Sequence, residues 1–204
     1  MGTTDNFDSA AATTAVATST FPILLTSNGG AKNHTLDMVA GFNGRFRYCS
    51  LTGNLGTLSS LGTSTTPVAG TTYWSDIYIP ETAKVLTGVG ILNGATVGTN
   101  KWVVALYASA GGAALANSAL AGVLTSGANA FQEVPFTGTY TVLKPGRYWI
   151  GAQLDGTTDR FRTIAAATWI DVLTKSATGT FGTVPSLTVP TTFTADAGPI
   201  AYVY

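Results

Sequence analysis

The chain has 204 residues, enough for one sizeable domain or one domain plus an arm, and 45% of them are hydrophobic, so a real core can form. Only 10% are charged, against about 25% in typical domains, and 10 basic residues balance 10 acidic ones. With no basic stripe a nucleic-acid partner is not expected, and with so little charge the surface must consist of hydroxyls, amides, small residues and contacts inside an assembly.

The N-terminal stretch, residues 1 to about 20, is rich in Thr, Ala and Ser, lacks helix caps and has little periodicity. It reads as an extended or partly disordered arm. It carries Asp5 and Asp8 where a leader would be basic and then apolar, so no signal peptide is expected. Asn6 stands where a myristoylation signal wants Ser or Thr. Phe21–Leu25 is the first apolar run. TLDMVAGF and RFRYCSL flank Asn43-Gly44, a strong hairpin signal of type I′. The single Cys49 excludes an intrachain disulfide and a Cys-rich zinc site. Residues 52–72 are low-complexity Gly, Ser and Thr and read as a linker.

From Tyr73 the strand signals come quickly. YWSDIYI stops at Pro80, which has no amide for a ladder. VLTGVGIL runs to a turn at Asn93-Gly94, and KWVVALYA ends at a small-residue turn. AALANSALA (113–121) fits either a short helix or an extended connection. FQEVPF carries Pro135 as an edge or bulge marker, and TYTVL follows it. Lys144-Pro145-Gly146-Arg147 has the order of a type II turn. RYWIGAQL ends at Asp155-Gly156, and FRTIAA, TWIDVLT and IAYVY supply the last strands. No run approaches the length of a membrane span. Many short strands at even spacing predict an all-β fold, an antiparallel β-sandwich of jelly-roll type with an N-terminal arm. The domain division is 1–70 for the arm and a small β region, and 71–204 for the sandwich.

Chemistry-bearing residues are few. His34, beside Lys32, Asn33 and Asp37, is the only histidine and has no partner for a zinc site. Asp155, Asp159, Arg160 and Arg162 lie in LDGTTDRFR. This faintly resembles a calcium loop but lacks the closing Glu, so a turn cap with arginines pairing locally or across an interface is the simpler reading. Glu81 and Glu133, the two glutamates, sit in no motif that would make a glycosidase pair. Serines lack a G-x-S-x-G elbow. No catalytic residue, cofactor or metal is expected. Trp74, Trp102, Trp149 and Trp169 remain, with Arg160 and Arg162, as interface or ligand-stacking residues. At alternating strand positions such aromatics more often fill a core.

The phrases LTGVGILNGATVGTNKWVVALYASAG and KPGRYWIGAQLDGTTDRFRT resemble the β-rich virion proteins of tailed bacteriophages, over residues 73–165. These include jelly-roll capsid decoration (cement) proteins and fibre or spike modules. The resemblance implies a non-enzymatic virion protein made in the bacterial cytoplasm, a homotrimer that binds the major capsid protein and stabilises the head. The alternative is a receptor- or carbohydrate-binding module that takes a host glycan. A polysaccharide-cleaving enzyme would need a carboxylate pair that no motif supplies.

Overall fold

The structure, a computed structural model, describes residues 58–165 and 172–204. The arm, the Asn43-Gly44 hairpin, His34, Cys49 and Trp169 lie outside the described residues. The chain divides between residues 47 and 48, and every described residue belongs to the second unit.

The described protein is nearly all β and antiparallel. After a 3₁₀ turn at Leu58–Ser60 come β1 (Thr63–Thr65), β2 (Thr72–Ile79), β3 (Val85–Leu92), β4 (Lys101–Ala108) and β5 (Ala114–Asn117). Then follow β6 (Val123–Leu124), β7 (Phe131–Thr141), β8 (Gly146–Leu154), β9 (Phe161–Thr163), β10 (Thr174–Ala177) and β11 (Ala201–Val203). The large sheet runs β10-β2-β8-β4-β5, with β6 also on β4. The small sheet runs β11-β3-β7, and β1 pairs with β9. Thr63–Thr65, inside the stretch expected to be linker, thus take part in a β ladder with Phe161–Thr163.

Period-2 geometry sends alternate side chains of each strand inward. Ile77 and Ile79 of β2, Trp102, Val104 and Leu106 of β4, and Ile150, Ala152 and Leu154 of β8 meet Val89 and Ile91 of β3, Val134 of β7 and Val203 of β11. This apolar layer joins the two sheets into a sandwich. Several outward side chains of the large sheet are buried too. Trp74, Ala105, Tyr107 and Trp149 pack beneath Leu187, Val184 and Val189 of the irregular segment 178–199, which forms a strap across the sheet. The strap is tied down by paired hydrogen bonds between Gly112 and Leu187 and by the Tyr107 hydroxyl, which donates to the Pro185 carbonyl at 3.0 Å. Double-sided burial explains why WVVALY is almost continuously apolar instead of alternating.

Glycines make room for aromatics at two places. Gly151 lies between Trp74 and Ala105 in the ladder, and a β-carbon there would come within 2.8 Å of the Tyr107 ring. Gly88 and Gly90 of β3 face the last three residues. Tyr202 pairs with Gly90 and crosses it to donate its hydroxyl to Glu133 at 2.9 Å, while Tyr204 lies over Gly88. GVG and YVY are therefore two halves of one packed surface.

Several local expectations change. Of the two readings of AALANSALA the extended one holds for Ala114–Asn117, which form β5, while residues 120–121 turn. FQEVPF and TYTVL are one strand, β7, with a register shift opposite Thr87 near Pro135. Gly146 has φ 150°, beyond the about 80° of a type II turn, because it already begins β8 opposite Ile79. Asn93-Gly94 is no hairpin turn: neither residue has positive φ, and Asn93 bridges to Phe161. Strand parity carried on from Val89 and Ile91 sends its side chain inward.

Candidate functional site

The richest polar constellation lies at one end of the sandwich, where the loops after β3, β6 and β8 converge. Asn93 is fully buried. Its Oδ1 accepts from Trp102 Nε1 at 3.0 Å, and its Nδ2 donates to the Ser126 carbonyl at 2.6 Å and to Gln132 Oε1 at 3.1 Å. Gln132 in turn accepts from the Ser126 amide at 2.8 Å and donates to the Leu124 carbonyl at 2.7 Å. Burying two amide side chains requires that their donors and acceptors be matched, and here they match each other and the backbone of residues 124–126.

Asp159 is the second node. Its Oδ2 accepts from the amides of Thr99 at 2.9 Å and Asn100 at 2.6 Å and from the Thr125 hydroxyl. Asn100 reciprocates: its Oδ1 accepts from the amides of Thr158 at 3.1 Å and Asp159 at 2.8 Å. Asp155 Oδ1 accepts from the Lys101 amide at 2.8 Å. The DGTTD segment is thus a clamp on residues 99–101. Burial pushes the Asp159 carboxyl up, but the hydrogen bonds from Thr125 and from the backbone at Asn100, Thr99 and Gly98 outweigh it and hold the group below its usual range. A carboxylate fixed in this way holds two loops together and does not exchange protons near neutral pH. Among the described residues no group of three or more His, Cys, Asp or Glu gathers as metal ligands would.

The other expected site residues fall in different places. Trp102 and Trp149 are 0% exposed and Trp74 is 2% exposed. Trp102 meets the Phe161 ring edge-on in the core, and the other two lie under the strap, so none offers a ring face to a sugar. Arg160 is exposed and donates to the Ser64 carbonyl at 3.2 Å; Arg162 is buried and donates to Asn129 Oδ1 at 2.9 Å. Glu133 receives the Tyr202 hydroxyl on β7, whereas Glu81 stands in the β2–β3 loop. Asp76, nearly buried, pairs with Arg147 at 3.0 Å and accepts from the Leu173 amide at 2.8 Å, which fixes the entry to β10. Sequence reasoning missed Asn93, Asn100, Thr125 and Gln132. Inward parity at Asn93 was the available signal, and it was outweighed by the turn preference of Asn-Gly.

Three exposed apolar side chains lie at or near the opposite end. Tyr78 is 61%, Val85 48% and Leu143 75% exposed. Tyr78 is on β2, Val85 opens β3 and Leu143 is in the β7–β8 connection; the β2–β3 and β7–β8 connections are joined by hydrogen bonds from the Ala83 amide to the Val142 carbonyl and from the Val142 amide to the Lys84 carbonyl, each 2.8 Å.

The fold and the polar nodes together define an all-β, antiparallel sandwich protein whose buried polar groups serve its architecture. Comparison with known families finds no family model that matches the chain, and comparison with curated proteins finds no match.

Proposed function

We propose that the protein is a structural component of a tailed-bacteriophage particle, a capsid decoration protein that binds the major capsid protein as a homotrimer and reinforces the head. The observation that carries this reading is where the chemistry-bearing side chains go. Asp159, Asp155, Asn93, Asn100 and Gln132 are engaged in joining loops, and the described tryptophans fill the interior. Apart from a few charged side chains such as Lys101, Glu133, Lys144 and Arg160, what faces outward is mostly small, hydroxylated or apolar, as expected of a protein that binds by area and shape more than by charge.

Two further features support it. The long strands β2, β3 and β4 alternate between the sheets, as do β7 and β8, and Ser118, just after β5, bridges to Phe136 of β7. That alternation supports the jelly-roll reading. Tyr78, Val85 and Leu143, each exposed towards that end, supply apolar area for contact between subunits or with a shell. The resemblance of residues 73–165 to virion proteins points the same way, with synthesis in the bacterial cytoplasm and residence in the virion.

Light scattering on the purified protein tests the assembly: a mass near three chains is expected. Heads lacking the protein should release their contents at a lower temperature, because a ligand that binds only the assembled shell stabilises it. A monomer that leaves heads unchanged but binds a glycan array would replace this reading with the receptor-binding one.

A further inference from the structure

Arg160 and Arg162 stand two residues apart, at the start of β9 and within it. Strand alternation puts Phe161 and Thr163 on one face and the two arginines on the other. Ser64 of β1 is the register partner of Arg162, so its hydroxyl shares the arginine face. Arg162 keeps only 8% of its surface exposed. Its Nη2 donates to Asn129 Oδ1, but among the described residues its buried Nε has no partner, and neither has the buried Ser64 Oγ. Arg160 donates to the Ser64 carbonyl. Among the described residues, neither guanidinium meets a carboxylate.

A buried guanidinium without a counter-charge is expensive, and a second cation on the same face adds to the cost. Such an arrangement is stable when an anion completes it. The planar fork of an arginine matches two oxygens of one oxyanion, and a serine hydroxyl supplies a further donor. We propose that Arg162, Arg160 and Ser64 form an oxyanion site that takes a carboxylate or an inorganic oxyanion. The group has two sources: an acidic side chain of a neighbouring protein chain, or a free ion such as sulfate or phosphate. The site belongs to the β1–β9 ladder, which carries none of Tyr78, Val85 and Leu143, and stands whether or not the protein decorates a shell.

The test uses the full chain, melted at constant ionic strength while chloride is replaced by sulfate, with Arg162→Gln and Arg160→Gln beside it. Sulfate stabilises folded proteins in general by exclusion from the surface, and that effect neither saturates nor depends on one arginine. The site predicts a saturating rise in melting temperature in the wild type. The sulfate midpoint should be weaker by about tenfold or more in Arg162→Gln and by less in Arg160→Gln. Light scattering on the same samples separates the sources. If a neighbour's carboxylate fills the site, Arg162→Gln lowers the mass and sulfate does the same to the wild type. If a free ion fills it, the mass does not move and the melting shift saturates. A wild type and an Arg162→Gln variant that respond identically to sulfate, with equal masses, overturn the proposal. Arg162→Gln should fold, because removing a buried unpaired charge leaves stability in chloride equal or higher.

Discussion

Asp159→Ala removes one carboxylate and with it the acceptor of three donors. The Thr99 amide is at an exposed residue and can turn to water. The Asn100 amide and the Thr125 hydroxyl are buried, and each is left without its acceptor. A buried donor stranded in this way costs about 1–3 kcal/mol, so the pair costs about 3 kcal/mol after Thr125 rotates to another partner. For a domain of this size, 1 kcal/mol moves the melting temperature by about 2–4 °C, which gives a drop of about 6–12 °C at neutral pH. Asp159→Asn keeps an acceptor and loses only the charge, so it should fall by about half as much. Acid provides the internal check. The folded carboxyl is held below its unfolded value, so its contribution is fully present above about pH 4. The part that depends on the charge is lost as the pH falls through the folded value, and the gap between wild type and Asp159→Ala should narrow there by about half. Differential scanning calorimetry from neutral pH downward reads both effects. A variant within about 2 °C of wild type at neutral pH, or a gap that stays constant in acid, would refute the clamp.

Asn93→Leu should lower stability by about 2–4 kcal/mol in urea, because Trp102 Nε1 and Gln132 Oε1 lose a partner in a dry interior, whereas an exposed turn asparagine would lose almost nothing. Gly90→Ala should cost about 1–3 kcal/mol, since its β-carbon would lie 2.2 Å from the Tyr202 ring, and Tyr202→Ala in the same chain should recover part of that loss. Burial raises the Tyr107 phenol to about 12, so in an alkaline absorbance titration it should ionise after the ordinary tyrosines, and Tyr107→Phe should delete that late step alone.

The strand skeleton was legible because turn chemistry and β-branched runs bound it: Pro80 closes β2, and the apolar runs at 85–92 and 101–108 fill β3 and β4. Less legible was how much of each strand is buried. Alternation implies one wet face, yet the irregular strap at 178–199 covers Trp74, Tyr107 and Trp149, and no period in its Thr-, Gly- and Pro-rich sequence announces that it lies on a sheet. Residues Thr63–Thr65 were likewise hidden, because a three-residue strand of Thr and Ser owes its form to the partner β9 and not to its own propensity. The complementarity of GVG and YVY is visible only once register pairs positions more than a hundred residues apart. Asn93 was misplaced because Asn-Gly carries a strong local turn preference that tertiary burial overrode, whereas Asp159 stays in the loop expected for it and its partners at residues 99, 100 and 125 are set by tertiary structure.

Electron microscopy of phage heads assembled without this protein, before and after adding it back, tests the central claim most directly. The account predicts ordered density of three-chain clusters on the outer surface of the head lattice after addition, and none before. Heads that stay bare, with the added protein found on tail fibres or free in solution, would contradict it.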